Sequence, residues 1–598
     1  MGLRLGGGIG LCDGIRASTL IPDWRGTSAG FRDTGISVAA TGGDGSPYQR
    51  RHPLAYVLVD TDATQVDVEC YTNYRAIGSG YAHVTWEVEG LGYGVATTTT
   101  NNATNTTRVT LAGSGTRRVR FTDGQQTAMA GVTPPSGTWL TRLTRVDGTT
   151  LTVVPATAPT TEVIFVGDSI YSGANANTPG RQSLGTRIRQ QFGPTAVGVT
   201  HVGYGYRALA SDYAAGHFTA LVAEVVAAAS QCATAAGVVV YVELGINDQG
   251  RTPLLWPNSG GGVASFQTAY QTLLTELRAA LPSARIVSQT ITGTTLAANA
   301  DGQTIAQYVT AQQAAFAGAA LSNATQRDGS TVITATDVTE ASGDGVHPQS
   351  WGHGRAARRT MDNEFSATQL YGAGTFSASN MLRTASGTHV DVANGTSLLF
   401  VWRQRANGSA NMSMVTCASG TSSNGTGWGL FQSDAGGSVA LLRYRPSGFG
   451  FGLATLGVNL CATAGLHAVA VSIASDGTVV ACADGGRATA GGVGTYTTAS
   501  ATRLEFGTAS AAPAFVANPN FDAVALATIP YVMDEYDLSW LSYLALTQPP
   551  VALLERATVL WEARADYDAT RGTTPQTTRG TAPVSLVQTG SVPRVAVP

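Results

Sequence analysis

The sequence predicts a multidomain protein of α/β plus all-β class, with a central parallel sheet between two antiparallel β-sandwiches. At 598 residues the chain exceeds what one hydrophobic core organises. From about residue 160, short β-branched runs alternate with amphipathic helical patterns, the signature of a doubly wound parallel sheet. Before residue 156 and after 366 the apolar residues instead recur every second position, as in half-buried antiparallel strands.

The central region opens on Val163-Ile164-Phe165-Val166, a buried strand that stops at Gly167 and presents Asp168-Ser169. A helix follows over 181–192, a short strand near 196–199 and a helix over about 214–230. Gly237–Leu244 reads as a strand bounded by glycine; Val263, Phe266, Tyr270, Leu273, Leu274 and Leu277 mark the next helix. Arg285–Gln289 is a strand, 303–318 a helix marked by Ile305, Val309 and Phe316, 331–334 a fifth strand, and a last helix follows 349. The expected division is an extended arm (1–50), a β-sandwich (51–157), the α/β domain (158–364), a second sandwich (365–547) and an extended tail (548–598).

Composition narrows the classes. Only 13% of residues are charged, about half the usual share, and the formal charge is −3. That balance offers no electrostatic case for nucleic acid or an anionic membrane. All 36 basic residues are arginine. The cysteines are scattered without metal-ligand spacing, so no metal is expected, although Cys461 and Cys482 lie on runs that would allow a cross-strand disulfide. No apolar run reaches membrane-spanning length, and the glycine-broken opening Met1–Leu11 is a poor secretory signal.

Four loop segments at strand ends carry the candidate chemistry: Gly167-Asp168-Ser169, Val202–Arg207, Gly245-Ile246-Asn247-Asp248 and Asp344-Gly345-Val346-His347. A serine hydroxyl needs a base within hydrogen-bond reach to act as a nucleophile. His347 can serve if Asp344, three residues earlier, fixes its tautomer and stabilises its cation. A tetrahedral intermediate needs donors aimed at its oxygen, and the candidates are the backbone N–H groups of Ser169 and Gly205 with the Asn247 amide. Each segment alone is also ordinary turn or helix-cap composition; the four together in this order are not.

This ordered set resembles the SGNH (GDSL-type) hydrolase family over roughly residues 160–362, with Ser169, Gly205, Asn247 and His347 at the four name-giving positions and Asp344 in the Asp-x-x-His block. The resemblance implies a flavodoxin-like sheet, ester hydrolysis without metal or cofactor, and a shallow open site. It makes Asp168 a loop-organiser rather than an acid. The family's second block usually carries an asparagine shortly before its glycine; here the polar residue is His201, which leaves Gly203 beside the preferred Gly205.

Tyr171, Tyr204, Tyr206, Trp256 and Trp351, with Arg207, lie near these loops and are the candidate substrate-binding residues, although each aromatic could equally pack inward. Aromatic faces at an open cleft suit sugar rings, so the expected substrate is an O-acetylated polysaccharide; a lipase or thioesterase is the alternative. Gly465–Gly477 with Val479–Gly485 resembles a laminin-G or concanavalin-like sandwich, a fold that binds glycans or serves as a spacer. The Gly/Leu-rich start resembles the first residues of phage virion proteins, which implies attachment to a particle through residues 1–50. A mainly structural, glycan-binding virion or surface protein, able to assemble as a homo-oligomer, is therefore the reading from a different class.

Overall fold

The computed structural model describes residues 158–171, 173–176, 182–192, 197–203, 207–250, 262–340 and 344–364 of the α/β region and, on either side, the strands and connections named below. Contacts divide the chain into two compact units, one formed mainly by residues up to Arg359 and one mainly from Thr360 onward.

In the α/β region, β1 (Thr161–Gly167), β2 (Val197–Gly203), β3 (Val238–Val242), β4 (Arg285–Gln289) and β5 (Ala324–Arg327) form one parallel sheet in the order β2-β1-β3-β4-β5. Val163 to Val166 are buried, as a strand covered on both faces requires. The helices are α1 (Leu184–Phe192), α2 (Leu209–Ala214), α3 (Phe218–Ala229), α4 (Ile246–Gln249), α5 (Gly262–Ala280), α6 (Ile305–Ala319), α7 (Ala335–Thr339) and α8 (Ser350–Glu364). On α5 the buried set is Phe266, Ala269, Tyr270, Leu273, Leu274 and Leu277, the stripe its apolar spacing dictates.

Two elements differ from expectation. The fifth strand is Ala324–Arg327, while Gly329–Thr331 is a single 3₁₀ turn and Val332 and Ile333 are buried beyond it. An edge strand pairs on one side only, so the polar run Ala-Thr-Gln-Arg carries no apolar signal. Gly329 also passes so close to the backbone of Thr290 that a Cβ there would lie 1.9 Å from its carbonyl oxygen. The helix expected over about 214–230 is α3, which begins only at Phe218, after Gly216 with its φ of +72°; the short α2 before it was not expected.

Before the α/β region, Leu20–Ile21, Thr141–Arg145, Gln65–Thr72 and Ala103–Thr110 form one antiparallel sheet. Leu151–Val153, Tyr56–Thr61, Arg117–Asp123, His83–Val88 and Gly92–Thr97 form another, with Phe31–Arg32 also paired to Tyr56–Thr61. Residues 1–50 are therefore more than a free arm, since two of their dipeptides close sheet edges. The glycine-rich start, on which the expected virion attachment rests, lies outside the described residues.

Beyond the α/β region there are two eight-stranded sheets. Thr396–Gln404 pairs with Gly465–Ile473 and Phe521–Ile529 in one; Met412–Ser419 pairs with Thr426–Gln432 in the other. Leu398, Phe400, Trp402, Val469 and Val471 of the first share one apolar cluster with Met414, Trp428, Leu430 and Val439 of the second. The expected tail is woven in as well: Val559–Glu562, Leu586–Thr589 and Arg594–Val597 pair with Phe521–Ile529, Met381–Thr384 and Tyr371–Thr375. Cys461 and Cys482 are buried free thiols. No helix among the described residues is long and apolar enough to cross a membrane.

In this second unit His467 is held at both ring nitrogens, with Nδ1 2.8 Å from Asp484 Oδ2 and Nε2 3.1 Å from the Thr463 carbonyl oxygen. Burial lowers its pKa, but the hydrogen bond and charge of Asp484 outweigh burial and raise it above the ordinary 6.5. A raised histidine value stabilises the fold fully below the unfolded value, and that contribution is lost as pH climbs through the folded value. Between about pH 6 and pH 8.5 the wild-type chain should therefore lose more of its melting temperature than His467→Gln, compared in parallel thermal melts.

Candidate active site

β1 delivers the chain at Gly167 into a tight turn. Ile170 and Tyr171 fold back inward, and the Tyr171 ring stacks on Phe165 at 4.7 Å between centroids. Its hydroxyl accepts from Gln289 Nε2. With Asp168 fully buried, Ser169 is the residue of this turn left partly accessible.

Ser169 Oγ stands 2.7 Å from His347 Nε2, and His347 Nδ1 stands 2.7 Å from Asp344 Oδ2. A carboxylate only accepts, so Nδ1 carries the proton and the Nε2 lone pair faces the serine hydroxyl. Asp344 Oδ1 accepts from the backbone N–H groups of Val346 (2.9 Å) and His347 (2.7 Å), which fixes the carboxylate within its own loop. Asn175 Nδ2 lies 3.4 Å from Asp344 Oδ2; it follows the Ser169 turn with a left-handed φ of +64°, a conformation asparagine tolerates. Partial burial raises the Asp344 pKa, but the hydrogen bond and charge of His347 and the two backbone donors outweigh it. The carboxyl is held well below the usual carboxylate range.

The loop carrying Asp344 and His347 is pinned from both sides. Arg355 of α8 reaches Asp337 of α7 at 2.6 Å and also pairs with Glu340, and Arg359 joins Asp337 as well. Gly345, at φ +80°, donates to the Val338 carbonyl and receives Thr294 Oγ1 (2.7 Å) and Thr295 N (3.0 Å) on its own carbonyl. A Cβ at Gly345 would come within 2.2 Å of Thr295 Oγ1, so a side chain there would displace the loop. Below, the buried His353 lies with Nε2 3.2 Å from the Ala174 carbonyl oxygen; burial pushes its pKa down to about 4, so it stays neutral.

β3 leads through Gly245 into α4. With φ at +129° and Phe266 2.7 Å from where a Cβ would stand, only glycine fits. The turn places Asn247 so that its Nδ2 donates to Asp168 Oδ2 at 3.0 Å, while Asp168 Oδ1 accepts from Ile170 N at 3.0 Å. Asp168 is thus a buried tie between the ends of β1 and β3. Burial pushes its pKa up to about 6. The next residue, Asp248, accepts from the backbone N–H groups of Leu209 (2.9 Å) and Ala210 (2.8 Å), so α4 is locked to the start of α2. Burial pushes Asp248 up to about 7.

The structure therefore brings Ser169, His347 and Asp344 into one hydrogen-bonded chain and sets Asn247 beside it through Asp168. Gly205, Tyr204, Tyr206 and Trp256 lie outside the described residues; Gly203 is the last residue of β2 and pairs with Gly167. Three of the expected substrate-binding residues are corrected. Tyr171 is 2% exposed and Arg207 is fully buried in an ion pair with Asp212 at 3.1 Å, so neither faces a ligand. Trp351, on α8, is 8% exposed and packs inward. Asp248 and Asn175 were missed. Asp248 sits in a capping-type Asn-Asp pair whose true partners are long-range, and Asn175 has no local signal beyond its place in a turn. Among the described residues no group of three His, Cys, Asp or Glu could hold a metal ion.

The linkage can move a proton from the Ser169 hydroxyl onto His347 and stabilise the resulting cation with Asp344. Replacing Asp248 by alanine would leave two buried N–H groups without an acceptor. Asp248→Ala should cost about 1–3 kcal/mol of unfolding free energy in a denaturant titration, and Asp248→Asn, which keeps an acceptor oxygen, should cost less.

No curated protein matches the chain. It is similar to the solved structure of a salicylyl-acyltransferase from a tetracycline biosynthetic pathway, at 14% identity and TM-score 0.39 over 58% of this chain and 97% of that one. It is also similar to a family two carbohydrate esterase from Cellvibrio japonicus (15% identity, TM-score 0.38, 57% and 96% covered). A third likeness is to a family two carbohydrate esterase from Clostridium thermocellum in complex with cellohexaose (15%, TM-score 0.37, 58% and 99%). Residues 165–355 match the GDSL-like Lipase/Acylhydrolase family, and this part of the chain is a GDSL/SGNH-type hydrolase domain.

Proposed function

We propose that the protein is a serine esterase that removes O-acetyl groups from a polysaccharide. The observation that carries the esterase reading is the unbroken Ser169–His347–Asp344 linkage, with both contacts at 2.7 Å. Ser169 Oγ attacks the ester carbonyl as His347 Nε2 takes its proton. The oxyanion meets the Ser169 N–H and Asn247, and Gly205, outside the described residues, is the third donor expected from the sequence. The Asn247 amide has two N–H bonds; one is held by Asp168 and the other is left for the oxyanion. Collapse breaks the bond to the sugar oxygen, which leaves as a hydroxyl by taking the proton from His347, and a water activated by His347 then releases acetate.

The acetyl preference rests on exposure. The Asp344 side chain is 48% exposed and that of His347 22%, so the reacting centre lies in a polar surface loop. A long acyl chain gains about 0.8 kcal/mol per methylene only where it is buried, and an open rim provides little of that. A low-charge protein with a formal charge of −3 also suits a neutral, hydroxyl-rich substrate better than a phosphorylated one.

A panel of p-nitrophenyl esters beside acetylated polysaccharides tests this. Acetate should be cleaved faster than octanoate, and free acetate should appear from the polysaccharide; the reverse chain-length order would point to a lipase or thioesterase. Ser169→Ala should abolish every one of these activities, and full activity in that variant would sink the assignment. Asn247→Ala should lower kcat by about 10²–10³-fold with little change in KM, the pattern of a contact made in the transition state.

A further inference from the structure

α6 and the ends of β4 and β5 line an open pocket of about 910 Å³, one hydrogen bond away from the Asp344–His347 loop. We propose that this pocket binds a neutral oligosaccharide segment and acts as an accessory subsite for the glycan whose ester reaches Ser169. The proposal rests on the glycan-ester reading above.

Its place in the fold is the first argument. Open α/β sheets bind ligands beyond the carboxyl ends of their strands. Here β1 and β3 end at Ser169 and Asn247, whereas β4 and β5 end at this pocket. The two places are mechanically joined, because Thr294 lines the pocket and its hydroxyl donates to Gly345, between Asp344 and His347.

The lining chemistry is the second argument. Gln313 and Gln326 supply amides, which both donate and accept, and the exposed Thr310 adds a hydroxyl; the hydroxyls of Thr290 and Thr294 are turned to the protein, one accepting from Gly329 N and the other donating to the Gly345 carbonyl oxygen. Thr292, only 1% exposed, lies behind this wall, its buried hydroxyl without a hydrogen-bond partner among the described residues. Beside them Ile305 and Val309, four residues apart on α6, form an aliphatic strip. Their spacing suggests a core face, yet α6 buries Tyr308, Ala311, Gln312 and Ala315 and leaves these two half-exposed in the pocket wall. The charged residues Arg327 and Asp328 are adjacent and opposite in sign, and Asp328 is engaged by the Ser330 N–H and hydroxyl at 2.9 and 2.7 Å.

A sugar matches this surface on both counts, its hydroxyls pairing with the amides and Thr310 and its C–H faces covering Ile305 and Val309. An acyl chain would leave the amides without partners, and an anion would find the pocket's one arginine offset by the neighbouring carboxylate. The volume lies within the range of small-molecule sites. A second hollow of about 510 Å³ shares Ala306 and Thr310 with the first, which extends the surface toward α5.

The test uses the full chain and unacetylated hexaoses of glucose, xylose and mannose in titration calorimetry. Ala306→Trp and, independently, Thr310→Arg fill the pocket from exposed helix positions. At least one hexaose should bind saturably to the wild type. Both variants should weaken that binding tenfold or more while melting temperature stays within a few degrees of wild type and p-nitrophenyl acetate hydrolysis within twofold. Binding of no hexaose, undiminished binding in either variant, or parallel loss of acetate hydrolysis would overturn the proposal. Pocket-dependent binding by a wild type that cleaves no ester would uphold the subsite and remove the esterase reading instead.

Discussion

The hydrogen bond between Asp168 and Asn247 is the constraint on which the site depends. It spans the ends of two neighbouring parallel strands, and each partner lies next to chemistry: Asp168 precedes Ser169, and Asn247 starts the turn beyond β3. A carboxylate sealed from water costs free energy unless its lone pairs are met. Here one oxygen takes Ile170 N and the other takes Asn247 Nδ2, so the cost of burial is converted into a fixed distance between nucleophile turn and amide. Asp248 repeats the device one residue later, with α2 as its partner. The two carboxylates act as struts, and the surface serine and histidine inherit their order.

The other half of the site is braced by a different means. His347 stands in a loop between two helices whose arginine and aspartate side chains interlock, and a left-handed glycine lets the loop lie against Thr294 and Thr295. The serine side relies on buried backbone and the histidine side on half-exposed ion pairs. The two meet in a single 2.7 Å contact, so a small displacement of either frame is felt there.

Much of this was legible in the chain. The apolar runs at β1 and β3, the α5 stripe and the ordered Gly-Asp-Ser, Gly-x-Asn-Asp and Asp-x-x-His segments announce themselves because burial and turn chemistry are local properties. What escaped depends on distant partners. β5 is a polar edge whose pairing with β4 no periodicity reveals. Tyr171 and Arg207 look like cleft residues in one dimension, yet Phe165 and Asp212 draw them inward. Asn175 reaches Asp344 across a separation that only folding closes.

The pairing of Tyr371–Thr375 with Arg594–Val597 carries a consequence for synthesis. Strands that are neighbours in space but so far apart along the chain give the second unit a high contact order, and closing that long loop is slow. During translation Tyr371–Thr375 emerges long before its partner, with one edge open to other strands. The unit completes its sheet only after Val597 has left the ribosome, whereas the α/β sheet, all of whose strands lie within residues 161–327, can assemble while the rest is still being made. The hydrolase domain is thus positioned to fold first and to wait for the sheets that follow it.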